Sequence, residues 1–204
     1  MLDVYTRPYD KRRPVVGFDE RPTQLIADVL VPVKPKPGRV KKVDYEYERK
    51  GTANLFGYVE PLTGKRDVWA TDQRTKVEYA HAMRRLVDAY PEAEVVVVVQ
   101  DNLNTHTKAA LYEAFPAEQA HRIANKLEFH FTPKHGSWLN VQELEWSALA
   151  RQALAQRVGD RAKLERLVTH WLQERRERAV KIDWHFSTTD ARIKLKRLYP
   201  ILSA

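Results

Sequence analysis

Cysteine is absent from this chain, which excludes disulfide bridges and thiolate metal sites at once. Also absent is any apolar run approaching the length of a membrane span. The N-terminal MLDVYTRPYDKRRP has no hydrophobic core of the kind a secretory leader carries. The expectation is a soluble, cytoplasmic protein with no membrane partner. Internal repeats are missing, and so is an acidic excess: 35 Lys and Arg stand against 27 Asp and Glu, a net charge of +8 with a pI near 9.6. Nucleic acid is the commonest polyanion that suits such a balance. At 204 residues, 43% hydrophobic and 30% charged, the composition is that of one globular domain with a real core.

What is present begins with VVVVVQDNLNTH, in which five valines and Gln100 lead into Asp101. Consecutive β-branched residues bounded by polar ones predict a strand buried on both faces, as found inside a partly parallel sheet. Such a strand ends at the carboxyl edge of the sheet, where open α/β folds place their ligands. An acid there is costly unless a cation compensates it. PVVGFDE repeats the pattern near the N-terminus, with Asp19 at its end. Two strands that each deliver an aspartate to one edge suggest a divalent-metal site.

Pro14 to Glu20 reads as the first strand, with Val15, Gly17 and Asp19 on one face and Glu20 on the other. Residues 21–50 read as a long loop or loose hairpin. Its PVKPKPGRVKK mixes three prolines and a glycine with five basic residues, which no helix or central strand tolerates. A hairpin (Asn54–Glu60 and Asp67–Thr71), a helix (Thr75–Tyr90) and the valine strand follow. Next come two short helices (Lys108–Ala114 and Ala117–Lys126) and a strand at Leu127–Phe131. Long helices over Leu139–Arg157 and Ala162–Arg178 and a short one from Thr189–Asp190 complete the chain. The crossover rule sets the valine strand beside the first, bringing Asp19 and Asp101 together. The order predicts an RNase H-like α/β fold, a mixed sheet of about five strands, three antiparallel and then parallel, flanked by helices. Residues 1–204 form its single domain, with a basic loop at 32–50.

A third acid is available in TPKHGSWLNVQELEW, where Glu143 lies near the start of a helix expected at the same sheet edge. Together with LDVYTRPYD, GFDE, GTANLF, QDNLNTH and TTDARIKLKRLYP, this segment makes the whole chain resemble the mariner-like group of bacterial insertion-sequence transposases. Those are enzymes of the DDE superfamily. The resemblance implies a triad of Asp19, Asp101 and Glu143, the last chosen over Glu145 by motif register. It implies two Mg²⁺ ions, with Mn²⁺ able to substitute, and DNA strand cleavage and transfer. Two ions suit that chemistry, because they activate the attacking hydroxyl and stabilise the leaving oxygen. The implied partners are the element's terminal inverted repeats and target DNA, with a homodimer assembled on DNA and a place near the bacterial nucleoid. Between Asp101 and Glu143 lie 41 residues, somewhat more than is usual in eukaryotic mariners. The family's N-terminal helix-turn-helix is not expected, since 18 residues precede Asp19. That leaves two alternatives: an idle DNA-binding remnant, or a second reading frame needing fusion to a recognition domain.

Further candidates for DNA contact are Lys34, Lys36, Arg39, Lys41 and Lys42 of the basic loop, for which mariner relatives imply a DNA-backbone or clamping role. Asn102 and His106 either orient a phosphate or form a turn or cap. His135 and Trp138 lie on the loop leading to Glu143, and Trp138 either stacks on a base or seals the core. Glu20 is assigned to structure or surface. The cluster Arg192, Lys194, Lys196 and Arg197 is read as a solvated helix face.

Overall fold

A computed structural model of the chain describes residues 2–30, 45–134 and 136–194. Lys34, Lys36, Arg39, Lys41, Lys42, His135, Lys196 and Arg197 lie outside the described residues. A short helix α1 (Leu2–Tyr5) opens the chain, followed by β1 (Val15–Asp28), β2 (Tyr47–Val59) and β3 (Arg66–Thr71). Helix α2 (Lys76–Ala89) leads to β4 (Val96–Gln100). Helices α3 (Ala109–Ala114) and α4 (Ala117–Asn125) then lead to β5 (Leu127–Phe131). A single 3₁₀ turn at Ser137–Leu139 precedes α5 (Gln142–Gln152), α6 (Arg161–Glu177) and α7 (Thr188–Lys194).

The five strands form one sheet in the order β3-β2-β1-β4-β5. β1 pairs antiparallel with β2, and β2 with β3, while β4 runs parallel to β1 and to β5. This is the RNase H-like plan that the sequence predicts. β4 is buried on both faces. Val96 and Val98 face a core with α2, α3 and α4 that includes Phe18, Phe56, Tyr79, Met83 and Leu111. Val97 and Val99 face the opposite side, with Val59, Leu139, Val141 and Tyr5. Each valine so buried contributes roughly 1.5–3 kcal/mol. Beside that second group, Leu55, Val68, Trp146, Leu149, Leu164 and Trp171 join β2 and β3 to α5 and α6.

The first strand is longer than its sequence suggests. β1 continues past Glu20 to Asp28 against the outer half of β2, where a loop was expected from residue 21. Its ladder to β4 ends at Gly17, so beyond that point one edge is unpaired and Pro22 withholds no needed donor. A register shift between Gln24 and Ile26 turns Leu25 into the α5–α6 core. Conversely, α5 is shorter than the expected 139–157 helix: it begins at Gln142 and gives way at Ala153. α1 occupies what read as a lead-in, with Val4 and Tyr5 buried.

The outer edge of β3 is covered by α6. Arg161 donates to the Ala70 carbonyl at 3.1 Å, and Arg176 to the Arg66 carbonyl at 3.1 Å. Within the sheet's other side, Glu145 of α5 is enclosed by Arg66 of β3 (3.1 Å) and Arg175 of α6 (2.6 Å). Among the described residues no helix is long and apolar enough to cross a membrane.

Candidate active site

The parallel ladder between β1 and β4 is short: Val15, Val16 and Gly17 pair with Val97, Val98 and Val99. The strands then part, and Asp19 and Asp101 each lie two residues beyond the last pair. Right-handed twist opens a cleft at this point, at the carboxyl end of both strands. Asp19 is 9% exposed, and Asp101 sits where β4 gives way to a loop.

Helix α5 closes the cleft from one face. Its entry is fixed by Asn140, whose side-chain oxygen accepts from the Gln142 amide (3.1 Å) while its amide donates to the Phe18 carbonyl (2.7 Å). Close approach needs glycine on the sheet beneath. A Cβ at Gly17 would collide with Val141, and one at Gly57 would stand 2.7 Å from the Trp146 ring. Glu143 falls in the first turn of α5, where the helix dipole favours a carboxylate.

The charges report the proximity of the three acids. Burial, and then the charges of Glu143 and Asp101, push the Asp19 carboxyl up to about 7, although the Glu20 amide and the Trp146 indole oppose the rise. Glu143 is also raised, first by burial and then by Asp101, with Arg21 acting against it. Asp101 is held by His106, whose Nδ1 lies 2.7 Å from its Oδ1 and whose Nε2 lies 3.6 Å from Glu20 Oε1. Burial disfavours the imidazolium, but the contacts with Asp101 and Glu20 outweigh it and raise His106 to about 9.

The donor chemistry fits a divalent cation. Asp19 is buried, Asp101 and Glu143 are partly exposed, and their charges raise the Asp19 carboxyl, a situation that a Mg²⁺-like ion relieves. The ligand set is not closed, because among the described residues no three acidic or imidazole side chains converge enough to hold one ion. Two of the acids are engaged elsewhere: Asp19 Oδ2 accepts from Trp146 Nε1 (3.0 Å), and Asp101 contacts His106.

The other sequence candidates fare unequally. His106 is 1% exposed and stacks on Tyr79 (4.7 Å between centroids), so its ring braces Asp101 from within and is not presented to a DNA phosphate. Trp138 is half-buried and packs edge-on against Phe186 (5.0 Å) with Lys194 over its ring. Asn102 is exposed on the loop beside Asp101. Glu20 is buried against His106, its side chain 3% exposed. Sequence reasoning passed over Trp146, Asn140 and Arg21. The signal for the first was its place three residues after Glu143, which returns a helical side chain to nearly the same face.

A family model described as DDE superfamily endonuclease matches residues 14–165. Among solved structures, the Mos1 mariner paired end complex with Mn is similar, with a TM-score of 0.56 and 17% identity over 85% of this chain and 52% of that one. The Mos1 strand transfer complex gives 0.51 and 18% over 85% and 49%. The simian T-cell lymphotropic virus intasome in complex with PP2A regulatory subunit B56 gamma gives 0.50 and 12% over 95% and 59%. The chain therefore spans about half the length of the Mos1 chains it matches. No curated protein matches it. At these identities the structures share the fold, and the family model covers well over half of the sequence. The chain belongs to the DDE superfamily endonucleases.

Proposed function

We propose that this chain is the catalytic domain of a transposase, cutting DNA strands and joining them to a target with Asp19, Asp101 and Glu143 as its triad. The observation that carries the reading is Asp19: buried, two residues beyond the last β1–β4 pair, with its carboxyl pushed up by burial and by those same two acids. Asp19, Asp101 and Glu143 would hold two Mg²⁺ ions, or Mn²⁺ in their place. When bound, the ions supply activation of the attacking hydroxyl and stabilisation of the leaving oxygen. Asn140, Trp146 and His106 keep the acids in place from the protein side. Arg21, donating to the Trp146 carbonyl at 3.0 Å, puts a fixed positive charge beside Glu143.

The partners of this reading are element ends and target DNA, engaged by a homodimer. The solved relatives are described as paired end, strand transfer and intasome complexes, which supports it. Lys34, Lys36, Arg39, Lys41 and Lys42 of the basic loop, with His135 and the exposed Asn102, are the proposed DNA contacts. The test is nicking of a duplex carrying an element end in Mg²⁺ or Mn²⁺. Asp19→Asn, Asp101→Asn and Glu143→Gln should each abolish it while the circular dichroism spectrum is kept. Near wild-type cleavage by any one variant would remove that residue from the triad.

A further inference from the structure

Trp146 belongs to the α5–α6 core by burial, yet its one polar atom is spent on Asp19. Its Nε1 donates to Asp19 Oδ2 at 3.0 Å, across 127 residues of sequence. The ring is not free to turn away, because it is 3% exposed and its Cη2 edge occupies the space left by Gly57, the β2 partner of Asp19. Its backbone is tied to the same strand, since the Trp146 carbonyl accepts from Arg21. Just before α5 begins, Asn140 holds the Phe18 carbonyl. The start of α5 is thus stitched to Phe18, Asp19 and Arg21 of β1, on both sides of the first acid.

We infer that Trp146 is a positioning residue: its indole N–H fixes the rotation of the Asp19 carboxylate, so that the first acid is already oriented when a divalent ion arrives. A carboxylate free to rotate about its terminal bond samples a broad, roughly two-fold well. A rigid indole donor narrows that well before binding. The inference rests on the triad assignment of the preceding section and deepens it. Groups that orient metal ligands change affinity by about 10–100-fold when removed.

The test measures Mn²⁺ affinity by electron paramagnetic resonance on the chain without DNA, so that cleavage is not the readout. Trp146→Phe keeps a ring over Gly57 and removes the donor; it should weaken Mn²⁺ binding by about tenfold. Leu149→Val loosens the same core without touching Asp19, and should leave the affinity unchanged at a comparable loss of thermal stability. Equal Mn²⁺ affinity in wild type and Trp146→Phe overturns the inference and leaves the triad standing. An equal loss in Leu149→Val also overturns it, because general loosening then explains the effect. Absence of Mn²⁺ binding in the wild type overturns the triad reading and this inference with it. If Trp146→Phe does not fold, the indole Nε1–H resonance of Trp146 in the wild type reads the same contact. Saturating Mg²⁺ should shift it, and an unmoved resonance overturns the inference.

Discussion

Glu143 and Glu145 stand two residues apart on α5 and point to opposite fates: the first adds its charge to Asp19, while the second is enclosed by Arg66 and Arg175. Two residues along a helix amount to about 200° of rotation, so one carboxylate reaches the sheet edge and the other the interior. Their glutamine variants should separate cleanly. Glu143→Gln should lose cleavage and keep its melting temperature. Glu145→Gln strips the countercharge from two arginines, one of them 1% exposed, and should cost about 3–5 kcal/mol in denaturant unfolding. Cleavage retained in Glu143→Gln and lost in a stably folded Glu145→Gln would reverse the assignment.

Asp19 makes the metal-free protein sensitive to pH. Its folded carboxyl titrates at about 7, whereas the unfolded one titrates near about 4. Between those values the native state holds a proton that the unfolded chain releases, so stability falls as pH rises through the window. Calorimetry without metal should show a melting temperature that declines from pH 4 to pH 7, with a shallower decline in Asp19→Asn. A divalent ion should recover most of the loss at pH 8. A steeper decline in the variant than in the wild type would contradict this.

His106 acts in the next window. Its folded pKa of about 9 lies above the ordinary value of about 6.5, so its contribution is complete below pH 6.5 and disappears as pH rises through 9. Imidazole NMR should show His106 titrating well above the ordinary histidine value. His106→Gln should flatten the stability profile between pH 6.5 and 9. A His106 resonance that titrates at or below the ordinary value would remove the charged bridge between Glu20 and Asp101.

Gly57→Ala tests the close seating of α5. The new methyl meets Trp146 Cη2 at 2.7 Å and Gln142 Nε2 at 2.8 Å, both in a packed core. Overpacking of this kind costs about 1–3 kcal/mol. Because α5 carries Glu143, cleavage should fall by more than the stability loss explains. Wild-type stability and rate in this variant would mean that α5 can lift without consequence.

DNA binding by the chain should be mostly a matter of phosphates. With a net charge of +8, a dissociation constant of about 10⁻⁴ to 10⁻⁶ M at physiological salt and a steep salt dependence are expected. Neutralising Lys34, Lys36, Arg39, Lys41 and Lys42 together should flatten the salt slope. Fluorescence anisotropy with an element end and a scrambled duplex measures both. A preference of about a hundredfold for the element end goes beyond phosphate contacts and would show that the domain reads sequence itself.

The strand order, and with it the placing of Asp19 and Asp101 at the same end of neighbouring parallel strands, was legible because it follows from local signals: an all-valine run and a crossover helix. Helix geometry said that Glu143 and Glu145 cannot share a face, and motif register chose between them. The far half of β1 was not legible, since its polar residues face solvent and Pro22 reads as a breaker until the unpaired edge is seen. For His106 and Trp138 the sequence left a DNA contact and a structural role both open, because both are polar-tipped rings on loops and nothing local shows that Tyr79 and Phe186 pack against them. Trp146 to Asp19 is a contact between distant segments, and the sequence hints at it only in the place of Trp146 three residues after Glu143 and in the glycine at 57.

The two guanidinium groups that α6 lays on the Ala70 and Arg66 carbonyls have a consequence for assembly. A sheet edge normally invites a further strand by offering its outward carbonyls and amides. At β3 an incoming strand would first have to displace Arg161 and Arg176. In the homodimer proposed above, β3 is therefore not the edge at which two sheets would join without first giving up those contacts. The sheet itself ends where α6 crosses it.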